Sequence, residues 1–157
     1  MKLCLCPSGP EPTAPAPTRK PVPKDVRLPL NVHPQHYDVQ LRPDIYGDDP
    51  GQFNFSGSVD IHVNCTRQTD TITLHTKQLD ILRASIEIQM GSGVSEEQSP
   101  KCVSWKEDKL REFLILSFDK ALKPNFLYKL TIDFNGRIKR NLIGIYLSSY
   151  KQNNVTK

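Results

Sequence analysis

The side chains in this 157-residue sequence best suited to metal or acid–base chemistry are four histidines, His33, His36, His62 and His75. His33-Pro34-Gln35-His36 has the H-x-x-H spacing that chelates a metal on a suitable turn. Pro34 and the want of an evident third ligand weaken that reading, and two exposed residues at a strand entrance fit better. His62 and His75 alternate with apolar neighbours, which sends them to a solvent-facing side. No H-E-x-x-H, G-x-S-x-G, phosphate-binding loop or C-x-x-C occurs. Cys4-Leu5-Cys6 has a single spacer and is no zinc pattern. Asp48-Asp49 and Glu96-Glu97 are paired acids without a partner to work against. The sequence therefore assigns no catalytic residue and no metal ligand.

Two other residue sets carry weaker chemistry. Cys65 and Cys102 are the only cysteines beyond residue 6. They read either as a single disulfide or as two buried free thiols, and spacing does not choose between them. Three N-glycosylation sequons begin at Asn54, Asn64 and Asn154, which favours a secretory ancestry. Asn54 and Asn64 fall on polar positions of alternating runs, where a glycan could point to solvent.

The elements that must position these residues are written in period two. Val59, Ile61 and Val63 alternate with Ser58, Asp60, His62 and Asn64, a half-buried strand with a polar outer face. The same alternation predicts strands at His36–Leu41, around Ile72 and Leu74, around Ile86 and Ile88, and over Tyr128–Phe134. Residues 113–118 (FLILSF) are apolar on both faces and predict a central strand covered twice. Turn signals fall at residues 46–51, 91–93, 123–125 and at Asn135-Gly136, and residues 91–100 read as a mobile loop. No window has helical periodicity over three turns. The expected fold class is all-β, an antiparallel sandwich or saddle-shaped sheet.

Composition divides the chain. Seven of its 13 prolines lie in residues 1–24, which carry a net charge of +3. That segment lacks apolar residues to bury and reads as a disordered linker or stalk. Residues 25–157 form the expected domain, with a net charge of +1. So nearly neutral a body has no polyanion footprint, and nucleic acid is not an expected partner. Arg137, Lys139 and Arg140 form a small basic cluster that reads as a solvated turn. No apolar run approaches the ~20 residues of a membrane span. The apolar start of the chain, four residues before Pro7, is too short for a secretory signal core.

A resemblance runs through the body in order. Residues 27–41 (RLPLNVHPQHYDVQL) are similar to the opening of the N-terminal domain of zinc aminopeptidases of the aminopeptidase N type. Phe55-Ser56-Gly57-Ser58-Val59 resembles the family's "F-x-G-x-v" strand start, and residues 71–79 (TITLHTKQL) its "I-x-L-H-x-x-x-L" element. Residues 128–136 (YKLTIDFNG) resemble "Y-x-L-x-I-x-F-x-G", and residues 142–150 (LIGIYLSSY) resemble "L-x-G-[FL]-Y-x-S-x-Y". Ile145 and Leu147 replace that last motif's usual aromatic and arginine.

The resemblance implies a membrane-anchored parent with an extracellular or lumenal peptidase, and a zinc held by H-E-x-x-H and a glutamate in a following catalytic domain. No residue of that machinery maps onto this chain, which is expected to be inactive alone, to hold no cofactor and to be a fragment, isoform or incomplete gene product. Its expected partner is the parent's catalytic domain. Tyr146, Leu147 and Tyr150 are the expected contact, next to the pocket for a peptide's N-terminal residue. The alternative is a free-standing secreted β-sandwich that binds proteins or glycans.

Overall fold

The computed structural model of the chain describes residues 25–90, 99–140, 144–149, 151–152 and 155–156. The expected linker at 1–24, Glu96-Glu97, Tyr150 and Asn154 lie outside them. Strand order along the chain is β1 (Val32–Asp44), β2 (Asn54–Cys65), β3 (Thr69–His75), β4 (Leu79–Met90), β5 (Cys102–Asp108), β6 (Phe113–Leu122), β7 (Leu127–Arg137), then a short hairpin of β8 (Lys151–Gln152) and β9 (Val155–Thr156). A single 3₁₀ turn at Pro50–Gln52 joins β1 to β2. Asp49, one of the paired acids, caps it by accepting the Gly51 N–H at 2.8 Å.

Two antiparallel sheets make up the domain. The larger has the order β1-β2-β7-β4 and the smaller β3-β6-β5. Their facing side chains form one core. Ile61 and Val63 of β2, Ile86 of β4 and Leu130 and Ile132 of β7 meet Ile72 of β3 and Leu114, Leu116 and Phe118 of β6. Each lies on the apolar side of its strand's alternation, as the period-two reading requires. The all-β sandwich expected from the sequence is the observed fold.

One strand was not expected, and two local expectations need correction. Residues 102–108, with no clean alternation, form β5 at the edge of the smaller sheet. Asn135-Gly136 is no turn but the end of β7, paired with Ser56 and Phe55. Finally, β6 is central but its outer side is covered only in part, with Phe113 buried and Ile115 half-buried. Its outer side carries Phe113, which packs against His75 of the neighbouring strand, ring centroids 5.1 Å apart, and lies under the Arg111 guanidinium.

The glycine at 136 has a packing role. Phe55 sits opposite Gly136 and Gly57 opposite Phe134, so each ring lies over the other strand's glycine. A Cβ on Gly136 would run into the Phe55 ring. One on Gly57 would stand 2.7 Å from Phe134. The two rings meet edge to face at 6.4 Å. "F-x-G" and "F-x-G" thus interlock across the β2–β7 ladder and fix its register.

Candidate functional site

The sandwich is closed on one side and open on the other. β1 and β3 are the edge strands of their sheets on the open side. Two prolines, Pro34 and Pro43, mark β1 as an edge, since proline cannot donate to a ladder. The inward side chains of β1 are Tyr37, Val39 and Leu41, paired with Ile61, Val59 and Gly57. They remain 52%, 55% and 46% exposed. Beneath them runs an apolar groove of about 420 Å³, floored by Ile61 and Ile132 and walled by Leu28, Leu74 and Leu79. A second hollow of about 390 Å³ shares Val39, Leu79 and Phe134 and continues to Ile145. Charged and polar groups rim this end. Lys77 and Glu112 form an ion pair at 2.7 Å, and the Lys139 ammonium donates to Gln78 Oε1 at 3.1 Å. That pairing accounts for one member of the basic cluster.

The expected contact residues divide. Leu147 is half-buried and packs on Phe55, Phe134 and Ile138, within its own domain. Its N–H donates to the Lys139 carbonyl at 2.9 Å. Tyr146 is 47% exposed, as is the neighbouring Ile145 at 39%. The sequence reading missed the larger part of the patch. Tyr37, Val39 and Leu41 were legible as one face of a strand, but nothing local to β1 announces that the face is uncovered.

Cys65 and Cys102 are free thiols. Cys65 is fully buried, and Cys102 packs against the same core. Burial pushes both thiols up from their ordinary value, which disfavours the reactive thiolate. Among the glycosylation candidates, Asn54 is exposed and Asn64 half-buried on the outer face of β2. His33 and His36 are exposed at the start of β1 and His75 is exposed on β3.

The residues present do not fit a catalytic zinc. The sequence lacks H-E-x-x-H. Among the described residues no three histidine, cysteine or carboxylate groups converge on one point. No helix among them is long and apolar enough to cross a membrane.

The sequence profile of the peptidase M1 N-terminal domain matches residues 33–157. The chain belongs to this family. Aminopeptidase N of Bos taurus is 30% identical over 131 residues, 83% of this chain and 14% of its own length. Human glutamyl aminopeptidase is 30% identical over 85% of the chain and 13% of its length. Human aminopeptidase Q is 32% identical over 88% and 14%. The chain thus spans about one-seventh of the curated relatives it matches. As an M1 N-terminal domain, it holds in one β-sandwich strands from four of the five stretches that carry the resemblance, and of the fifth, residues 142–150, the structure describes only 144–149. The interlocked Phe55/Gly136 and Gly57/Phe134 pairs belong to two of them.

Proposed function

We propose that this M1 N-terminal domain is a non-catalytic module of a zinc aminopeptidase. In the whole protein its open apolar side packs on the catalytic domain and helps wall the pocket for a peptide's N-terminal residue. The observation that carries this reading is the half-exposed row Tyr37, Val39 and Leu41 above an apolar groove. Apolar rows of this kind mark protein contacts in soluble domains. Tyr146 and Ile145 extend the same surface. The zinc, the general base and the membrane anchor lie with the rest of the enzyme, in a secretory setting where Asn54 and Asn64 are available for glycosylation.

A chimera tests the proposal. Residues 33–157 replace the corresponding segment of human aminopeptidase N, and the product is assayed for secretion and for hydrolysis of aminoacyl-anilides. The expected result is a secreted, active chimera whose yield falls at least tenfold with Val39→Asp and Leu41→Asp. The isolated chain carrying the same two substitutions keeps its melting temperature. A chimera indifferent to both substitutions would show that the face meets no catalytic domain and would favour a free-standing binding module.

A further inference from the structure

β1 has a second unpartnered surface besides its apolar side, the backbone edge of the larger sheet. Cys65 of β2 donates its N–H to the Phe126 carbonyl at 3.1 Å and accepts from the Asn125 N–H at 2.8 Å, so both its backbone groups turn toward β7. That direction alternates along a strand. The odd-numbered residues of β2 therefore bond β7, and the even-numbered ones bond β1. The partners of the even set are His36, Asp38, Gln40, Arg42 and Asp44. Tyr37, Val39, Leu41 and Pro43 accordingly turn their backbone groups away from the sheet. Pro34 stands opposite Val63 of the odd set, so both prolines of β1 fall where no donor is needed. β1 ends its sheet, and among the described residues no hydrogen bond engages this outward row.

We infer that this edge pairs antiparallel with the β1 edge of a second copy of the chain, about a two-fold axis at Gln40. Residues 36–44 read HYDVQLRPD, and about Gln40 that run complements its own reverse. Val39 meets the second copy's Leu41, and the two exchange both main-chain hydrogen bonds. Tyr37 meets the second copy's Pro43, whose carbonyl accepts the Tyr37 N–H. On the outer face Asp38 stands opposite Arg42, His36 opposite Asp44, and Gln40 opposite itself. Opposite charges across a ladder stabilise it and like charges repel. Among the described residues neither Arg42 nor Asp44 has an ion-pair partner within its own chain. Every nearby axis is worse. At Asp38 or Leu41 two aspartates oppose each other, and at Arg42 two arginines do. At Val39, Asp38 faces Gln40 and His36 faces Arg42. Charge thus selects the register, while main-chain bonds and apolar pairs supply the attraction. This pairing uses the backbone edge and outer face of β1, whereas docking on the catalytic domain uses its inner side, so either can fail without the other.

Sedimentation velocity of the full 157-residue chain over a concentration series tests the inference. The expected result is a monomer–dimer equilibrium. Asp38→Arg or Arg42→Asp alone sets like charges opposite each other and should weaken the dimer at least tenfold. An equimolar mixture of the two variants should dimerise again, because each chain then meets its complement. One chain carrying both substitutions should do the same, and recovery shows that the variants are folded. Gln40→Cys, in a chain with Cys4→Ser and Cys6→Ser, reads the axis. Residues opposed at such a pair have Cα atoms about 4.5 Å apart, within disulfide range, so air oxidation should cross-link two copies. Val39→Cys, displaced diagonally by about 7–8 Å, should not cross-link. A monomer at every concentration, a dimer indifferent to both charge reversals, or a mixture that stays monomeric would each overturn the inference. So would cross-linking through Val39→Cys in preference to Gln40→Cys.

Discussion

β1 and β2 are neighbours in one sheet, carry the same alternation and end in opposite conditions. Ile61 and Val63 of β2 are 4% and 2% exposed, whereas Tyr37, Val39 and Leu41 of β1 are about half exposed. The difference lies in the second sheet. Three strands, β3-β6-β5, cannot cover four, and β1 is the one left over. Alternation tells which side of a strand is apolar. Whether that side is covered is decided by the width of a sheet built from other parts of the chain.

The largest expected effect tests that contrast directly. Leu130 is fully buried at the centre of the core, and Leu130→Ala should cost about 2–5 kcal/mol. Val39→Ala, on the same side of the same sheet, should cost below about 1 kcal/mol. Chemical denaturation of both variants provides the measurement. Equal losses would mean that β1 is covered after all.

Next in size is the glycine–aromatic lock. Gly136→Ala places a methyl against the Phe55 ring, and overpacking of this kind costs about 1–3 kcal/mol. The double variant Phe55→Leu with Gly136→Ala should recover part of that loss, because the smaller side chain yields space. A cycle without coupling would show that the contact does not set the register.

A third test addresses the open side itself. The isolated chain should self-associate through β1, which is both an edge strand and an apolar face. Light scattering over a concentration series should show the association, and Val39→Lys with Leu41→Lys should abolish it. A monodisperse wild-type chain at high concentration would show the groove to be self-sufficient.

How much of this was legible follows from the same physics. The strands with clean alternation, such as residues 58–64 and 128–134, can be read from the chain because their period is a local property. β5 could not. Val103, at a register irregularity, and Trp105, two residues on, are both exposed at a sheet edge, so no period marks it. Asn135-Gly136 misled because the pair is the strongest hairpin signal. Here the glycine answers to a ring 81 residues earlier in the chain. The cross-strand grouping of His36, His62, Asp38 and Asp60 on the outer face of β1 and β2 was hidden for a similar reason. Its members are joined by a ladder and by the irregularity at Gln35, neither of which is written in spacing.

The smallest expected effect concerns the outer face, where polar groups replace the missing layer. Asp133 lies opposite Ser58, and Arg83 Nε donates to its Oδ2 at 2.8 Å. The Ser58 hydroxyl, and after it the Arg83 guanidinium, hold the Asp133 carboxyl below its ordinary value. A depressed carboxyl contributes stability that is present above its unfolded pKa, about 3.9. The contribution is lost as pH falls through the lower folded value. The pair is on the surface, so Asp133→Asn should cost less than about 1 kcal/mol at neutral pH. Its cost should shrink as pH falls through that lower value, where the wild-type group becomes neutral as well. Thermal melts at several pH values separate this from the inner face, where Leu130→Ala is indifferent to acid. A cost for Asp133→Asn that stays constant down to the acid limb would mean that the side chain acts through shape alone, and that the two faces differ in layer but not in kind.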